Sequence, residues 1–257
     1  MITSQTNTKI KHVTALISNA RLRRKERTFV VEGDRIVSEI PAHRIKECYV
    51  SEDFDNFSII PDGVNYEVVS ASVFKKMSDT MTPQGVLCVV SFGDDNAEDF
   101  LGKHREGALR LLVLESVQDP GNLGTMIRTA EGAGFDAVIA NSGTVDVYNP
   151  KVTRSTMGSL FRVPVMYVQN LSDILSTMKE LGITTYAAHL NGDKSYCEQK
   201  YSNRSAILIG NEGNGLTDEI SSNCDVLVKI PMEGRLESLN ASVAAALMMY
   251  EVRRNKE

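Results

Sequence analysis

The sequence contains no tryptophan, and phenylalanine and tyrosine together make up only 6% of its 257 residues. This scarcity argues against a surface that binds single-stranded nucleic acid by stacking bases on many aromatic rings. No run of about 18 apolar residues occurs. The first residues, MITSQTNTKIKH, include no apolar segment of the secretory type. We therefore expect a cytoplasmic protein that does not span a membrane.

The motifs of several common site types are also missing. The cysteines Cys48, Cys88, Cys197 and Cys224 form no C-x-x-C pair, so we expect buried, reduced thiols and no metal site. The histidines form no H-E-x-x-H, and the chain has no G-x-x-x-x-G-K-[ST]. No G-x-G-x-x-G opens its first strand–helix unit, which disfavours a dinucleotide site. His189 alone among the histidines ends a predicted strand, where it could lie near a ligand.

Charge is distributed unevenly along a chain of net charge −5. Residues 1–46 carry ten Lys and Arg against four Asp and Glu, a balance of +6, which leaves −11 for the remainder. This basic N-terminal segment, in an otherwise acidic chain, is predicted to bind an anion.

Alternating helix and strand patterns predict an α/β fold in two domains. A small α/β domain is predicted over residues 1–92, beginning with a helix at 8–27, and polar residues 93–107 are predicted to be a linker. In residues 108–257, continuous apolar runs predict a parallel sheet covered on both faces. These runs span residues 109–115, 136–140, 184–190, 205–210 and 225–230.

The first motif, QDPGNLGTMIRTAEGAGF at 118–135, directly follows a predicted strand. Asn122 could cap the next helix, Gly134 could end it, and Arg128 lies inside it. A capped surface helix with a solvated arginine is the alternative.

The second motif, ILIGNEGNGL at 207–216, again leaves a strand. Its three glycines permit close approach of a ligand to the backbone, and Glu212 lies among them. A plain turn is the alternative.

The third motif lies in residues 230–254, where a strand ends and a helix is predicted to begin near Ser238. Leu239, Val243, Leu247 and Tyr250 have helical spacing. Ser238 and Asn240 could act only as helix caps.

Together these segments resemble the SpoU/TrmH group of the SPOUT methyltransferases over about residues 108–254. The likeness rests on Asn122…Arg128, on Gly210-Asn211-Glu212-Gly213 and on Ser238-Leu239-Asn240, in that order. Residues 147–165 resemble the second helix–strand unit of the group. Residues 20–35 and 82–90 resemble its L30e/L7Ae-like substrate-binding domain. Ala241 departs from the pattern, because valine is common there, and could loosen the pocket floor.

The resemblance implies a small L30e-like domain before a SPOUT domain with a deep trefoil knot, a homodimer, and S-adenosylmethionine as cofactor. It implies ribose 2′-O-methylation of RNA, and it favours ribosomal RNA, specifically 23S, over transfer RNA. The cofactor-binding residues it implies are Leu190, Gly192, Gly210, Asn211, Gly213, Ile230 and Leu239.

The resemblance also implies a catalytic set of Asn122, Arg128, Glu212, Ser238 and Asn240. A general base at Arg128 is chemically awkward, because a guanidinium stays protonated. We therefore favour Arg128 as a cation that stabilises the developing alkoxide and holds a phosphate. Asn122 and Ser238 would position Arg128 and the ribose, while Glu212 and Asn240 would brace the pocket.

The basic N-terminal segment would then supply RNA affinity through phosphate contacts. The candidates are Arg21, Arg23, Arg24, Lys25 and Arg27, with a solvated helix end as the alternative. Two other functions stay open: a non-catalytic RNA-binding protein that kept the fold, and a SPOUT enzyme that methylates a guanine ring nitrogen.

Overall fold

The computed structural model describes residues Met1–Arg254, and the chain forms two compact units. Unit 1 comprises Met1–Gly93 together with Asp146–Phe161. Unit 2 comprises Asp94–Val145 and the chain from Arg162 onward. Unit 1 is therefore built from two separate stretches of sequence.

The helices and strands alternate along the described residues. The strands are β1 Thr28–Glu32, β2 Ile45–Ser51, β3 Glu67–Val69, β4 Val86–Ser91, β5 Leu109–Leu114, β6 Ala137–Asn141, β7 Val165–Val168, β8 Thr184–Ala188, β9 Lys194–Ser195, β10 Arg204–Ile209 and β11 Val226–Lys229. The α-helices are α1 Thr8–Ser18, α2 Ala20–Glu26, α3 Asp34–Val37, α4 Ala71–Met77, α5 Ala97–Lys103, α6 Pro120–Ala133, α7 Pro150–Thr156, α8 Leu171–Glu180, α9 Asp218–Ser222 and α10 Ala241–Arg254. Short 3-10 helices span Ala42–Arg44, Phe57–Ile59 and Ser159–Phe161.

Unit 1 contains a mixed sheet in the order β1-β4-β2-β3, in which only the β2–β3 pair is parallel. One face packs on α1 and α4 through an apolar core that includes Tyr49 and Phe74. The other face carries Phe29, whose ring lies 4.6 Å from that of Tyr148 between centroids. The later stretch, Asp146–Phe161, thus supplies part of the apolar packing of unit 1.

The helix predicted at 8–27 is two helices, because the chain bends at Asn19. Asn19 is extended, and its side chain accepts a hydrogen bond from the Leu22 N–H, which caps α2. An asparagine inside a helical pattern gave the signal for this cap.

Unit 2 is built on a seven-stranded sheet in the order β7-β6-β5-β10-β8-β11-β9. Every pairing in it is parallel, which confirms the predicted parallel sheet. β5 and β10 lie next to each other and are buried along nearly their whole length. The short strands β7 and β9 lie at the two edges, and neither is among the apolar runs from which the sheet was predicted.

Within residues 93–107, predicted as a linker, α5 forms a two-turn helix. Its Ala97 and Leu101 are buried in the core of unit 2. The first residues of this segment, rather than all of it, connect the two units.

The apolar positions of α10 divide between two faces. Ala245, Met248 and Met249 are fully buried. Val243 and Tyr250 are 47% and 48% exposed, although their helical spacing suggested a packed stripe. The side of α10 that carries the predicted stripe is therefore its outer face.

All four cysteines are free thiols. Cys48 and Cys88 are buried, but Cys197 is exposed, so the prediction of four buried thiols was wrong at this position. Among the described residues, no group of three or more His, Cys, Asp or Glu could bind a metal ion. None of the described helices has the length and apolarity needed to cross a membrane.

Candidate active site

A cavity of about 460 Å³ lies in unit 2 where β8, β10 and β11 end. His189, Gly210 and Ile230, the residues that come just after these strands, contribute to its wall. Ligands bind at the carboxyl ends of the strands in open α/β sheets, and this volume is typical of a small-molecule site.

The cavity has an apolar wall and a polar rim. Among the residues predicted to bind cofactor or act in catalysis, it is lined by Leu190, Gly210, Asn211, Glu212, Gly213, Ile230, Ser238 and Leu239. His189, which the sequence analysis suggested could lie near a ligand, also lines the cavity. Gly192, Asn122, Arg128 and Asn240 are not among its lining residues.

Two of the predicted glycines lie where a side chain would not fit. A Cβ at Gly210 would lie 2.1 Å from the carbonyl carbon of Gly215. A Cβ at Gly192 would lie 2.5 Å from the carbonyl carbon of Val228 on β11. Gly192 therefore acts through the packing of the β8 loop against β11, whereas Gly210 lets the second-motif loop fold back on itself.

That loop, residues 211–215, is closed by its own backbone. Asn211 and Gly215 exchange N–H···O bonds of 3.0 and 2.9 Å, and Gly215 has a φ of +70°. The Asn211 side-chain oxygen accepts from the N–H groups of Gly213 (2.9 Å) and Asn214 (3.1 Å). These internal hydrogen bonds order the loop.

Glu212 connects this loop to the start of the first motif. Its carboxylate accepts from the N–H groups of Gln118 and Asp119 and from Nδ2 of Asn122, each at 3.0 Å. Partial burial would raise the pKa of Glu212, but these hydrogen bonds to the charged form outweigh it and lower the pKa. Glu212 is therefore an anion that holds two loops together.

Asn122 is also hydrogen-bonded to the third motif. Its side-chain oxygen accepts from Nδ2 of Asn240 at 3.0 Å, so Asn240, Asn122 and Glu212 form one hydrogen-bonded chain. Asn122 is only 9% exposed, which makes the loss of either bond costly. The structure thus brings together three of the five predicted catalytic residues, one from each motif.

The helix caps agree with the prediction at Gly134 and Asn240 but not at Asn122. Asp119, not Asn122, caps α6, because its side chain accepts from the Asn122 N–H at 2.8 Å. Gly134 ends α6 with a φ of +72°, as predicted. α10 begins at Ala241 rather than near Ser238, and Asn240 caps it by accepting from the N–H of Ser242 at 2.9 Å.

Arg128 and Ser238 are both exposed. Arg128 lies on α6 beyond Asn122 and forms no hydrogen bond or ion pair with any other residue that the structure describes. Its guanidinium is thus available to a partner molecule.

The basic residues predicted to contact RNA separate into two kinds in unit 1. Arg21, Arg24, Lys25 and Arg27 are exposed. Arg23 is only 3% exposed, and its guanidinium pairs with Asp146 at 2.6 Å and donates to the Leu16 carbonyl at 2.8 Å. The assignment of Arg23 to phosphate contact is therefore corrected, because its donors are used inside the fold.

Sequence reasoning missed a second carboxylate beneath the site. Glu115, which is buried, accepts from the backbone N–H and the hydroxyl of Thr217, both at 2.8 Å. This pair anchors the far end of the glycine-rich loop. A glutamate ending an apolar strand was the only available signal.

The sequence of the chain matches two known protein families. The SpoU rRNA Methylase family matches residues 110–250, and the MRM3-like substrate binding domain matches residues 7–88. The chain belongs to the SpoU rRNA methylase family. This confirms the resemblance to SpoU/TrmH-type RNA 2′-O-methyltransferases, and with it an enzyme that uses S-adenosylmethionine.

Individual relatives of this SpoU family member align over nearly their full length. The 23S rRNA (guanosine(2553)-2′-O)-methyltransferase RlmP of Bacillus subtilis is 34% identical over 254 residues, 98% of each chain. An AdoMet-bound rRNA methyltransferase from Sinorhizobium meliloti has a TM-score of 0.87 at 29% identity, covering 98% of this chain and 97% of that one. The SpoU methyltransferase AviRb from Streptomyces viridochromogenes, in complex with AdoMet, has a TM-score of 0.85 at 27% identity, covering 97% and 99%.

Proposed function

We propose that this SpoU family member methylates a ribose 2′-hydroxyl in 23S ribosomal RNA. The observation that carries the proposal is the chain Asn240–Asn122–Glu212, which joins all three motifs beside a cavity at the carboxyl edge of the sheet. The Bacillus subtilis relative, which is named for this reaction on 23S rRNA, supports the choice of substrate.

The cavity fits S-adenosylmethionine in its chemistry. Ile209, Leu216 and Leu239 offer apolar surface for an adenine ring. Glu237 lines the same cavity and offers a carboxylate to the cationic part of the ligand. When bound, S-adenosylmethionine supplies a methyl group that passes to the ribose 2′-oxygen, leaving S-adenosylhomocysteine and a proton.

The predicted cofactor residues would hold this ligand mainly through backbone. Gly210 and Gly213 expose main-chain groups of the closed loop, while Leu190 and Ile230 come from the neighbouring strand ends. Gly192 would act one step away, by fixing the β8 loop against β11.

The proposed catalytic residues divide into side chains that bond to one another and exposed side chains that could reach the substrate. Glu212, Asn122 and Asn240 would brace the loops through the two hydrogen bonds that join them. Glu212 also accepts from the backbone N–H groups of Gln118 and Asp119, and Asn240 accepts from Ser242. Arg128 would stay cationic, stabilise the developing alkoxide and hold an adjacent phosphate. Ser238, exposed at the cavity rim, would orient the ribose.

RNA affinity would come from unit 1. Arg21, Arg24 and Lys25 are exposed along α2, and Arg27 is exposed just after it. There they can contact phosphates without reading sequence. We assign RNA binding to residues 1–92 and catalysis to residues 108–257, with the deep knot of the family in the latter. A cytoplasmic location is part of the same proposal, and the relative that is named for a reaction on 23S rRNA supports it.

A homodimer is proposed on the outer face of α10. Val243, Ala246, Leu247 and Tyr250 form an apolar stripe there, and Val243 and Tyr250 are about half exposed. V243E/Y250E should give a monomer by light scattering, because two carboxylates on this stripe cannot be buried unpaired. Phe57→Glu, at a similarly exposed ring outside α10, is the control. A wild-type monomer would exclude the dimer.

The decisive experiment maps ribose methylation across total RNA with and without the protein. We expect one 2′-O-methyl mark in 23S rRNA to depend on it. A mark in transfer RNA would assign the substrate otherwise, and a ring-methylated guanosine after digestion to nucleosides would refute ribose chemistry.

Arg128→Ala separates an enzyme from a binding protein. The variant should bind S-adenosylmethionine as the wild type does and lose methyl transfer, since Arg128 lies outside the cavity lining. Retained turnover would refute the assignment of Arg128.

A further inference from the structure

A left-handed serine follows β5. Ser116 has a φ of +56°, a conformation that a residue with a Cβ seldom adopts without support. Ser116 lies directly before the first motif, between the ends of β6 and β10. Neighbouring residues must therefore stabilise Ser116 in this conformation.

Asn141, the last residue of β6, supplies that support. Its Oδ1 accepts from the Ser116 N–H at 2.8 Å, and its Nδ2 donates to the Ser116 hydroxyl at 3.0 Å. Oδ1 also accepts from the Thr144 hydroxyl at 3.0 Å. Two bonds of opposite direction fix both the amide of Asn141 and the conformation of Ser116.

Ser116 then sets the orientation of the cavity loop. Its carbonyl oxygen accepts from Nδ2 of Asn211 at 2.8 Å. Because the amide group has one donor end and one acceptor end, this bond leaves Oδ1 of Asn211 facing the N–H groups of Gly213 and Asn214. The loop that lines the cavity is thus ordered through Ser116.

We propose that Asn141, which does not line the cavity, is a positioning residue for the cofactor loop and acts through Ser116 and Asn211. The inference rests on the proposed function only in naming S-adenosylmethionine as the ligand of that loop.

The test measures ligand affinity and loop order separately in the full-length protein. In N141A, the Kd for S-adenosylmethionine measured by calorimetry should rise roughly fivefold to thirtyfold, as left-handed Ser116 loses its support. Hydrogen exchange at the amides of Gly213 and Asn214 should be faster even without ligand. N141A/S116G should recover much of both losses, because glycine adopts positive φ without steric cost.

The matched control is N170A. Asn170 caps α8 by accepting from the Ser172 N–H at 2.9 Å, so its loss also destabilises unit 2. This variant should leave the Kd and the exchange of the loop amides unchanged. The proposal is overturned if N141A behaves like N170A, or if S116G restores neither property. A wild type that binds no S-adenosylmethionine would count against the proposed function, while the exchange data would still decide the role of Asn141.

Discussion

A methyl group at Gly210 tests whether the folded-back loop forms the cofactor site. In Gly210→Ala the new Cβ would lie 2.1 Å from the carbonyl carbon of Gly215 and 2.2 Å from the nitrogen of Leu216. Non-bonded carbons need about 3.5 Å, so the two strands of the loop must separate by roughly 1.4 Å. Both neighbours are backbone atoms, which no side-chain rotation can move aside.

Such overpacking costs about 1–3 kcal/mol. Because the strain falls on the cavity wall, we expect the Kd for S-adenosylmethionine to rise by up to the same free energy, roughly fivefold to 140-fold at about 1.4 kcal/mol per factor of ten. Calorimetry with purified protein measures this directly. Methyl transfer measured at saturating donor would show any remaining defect in geometry.

Gly102→Ala is the matched control. Gly102 lies in α5, and beyond its chain neighbours and its own helix backbone, no atom of the described residues lies within 4 Å of the Cβ it would gain. Alanine there should stabilise the helix by about 1 kcal/mol and leave the Kd unchanged. If Gly210→Ala binds the donor as tightly as Gly102→Ala, the loop does not form the cofactor site.

Three further outcomes follow from the same contacts. Arg23→Ala should destabilise the protein by about 3–5 kcal/mol in urea unfolding, because the Asp146 carboxylate, whose side chain is only 12% exposed, loses its cation. Arg24→Ala should change stability by less than about 0.5 kcal/mol. Equal effects of the two substitutions would contradict the importance of this ion pair. R21E/R24E should lower the magnitude of the slope of log K against log salt concentration for RNA binding by about two, while Lys179→Glu should leave this slope unchanged. If R21E/R24E does not alter the slope, the RNA-binding surface lies elsewhere. Folding lowers the pKa of Glu212, so its ionised carboxylate stabilises the folded protein above pH 4.5, its ordinary pKa. This stabilisation is lost as the pH falls through the pKa of Glu212 in the folded protein, so the Tm difference between wild type and Glu212→Gln should shrink below pH 4.5. A Tm difference that stays constant with pH would rule out this linkage.

The parallel sheet could be predicted because its central strands are continuous apolar runs. β5 and β10, buried on both faces, read as LRLLVL and RSAILI. β7 and β9 were missed because they are edge strands of four and two residues, too short to show a period. The packing of Asp146–Phe161 within unit 1 had no local signal, since it depends on contacts between distant parts of the chain.

The three motifs were predicted, but the contacts between them were not. Nothing in the spacing of Asn122, Glu212 and Asn240 shows that their side chains form one hydrogen-bonded chain. The burial of Arg23 was equally hidden, because its partner Asp146 is 123 residues away and its neighbours are solvated arginines. Pattern reasoning identifies residue types and local turns, whereas the pairing of polar groups depends on the tertiary fold.

The use of amides at these junctions has a physical reason. Asn122 accepts from Asn240 and donates to Glu212, so it transmits order between two loops without adding charge. Aspartate of the same shape at 122 would lose the donor and place a second carboxylate about 3 Å from the first, where both cannot readily be ionised. Glu212 would then have to bind a proton or turn away, releasing the loop that lines the cavity. A single anion held by neutral donors keeps the negative charge fixed beside a cavity proposed to bind a cationic sulfonium, and this explains why the carboxylate is at 212 and the amides are at 122 and 240.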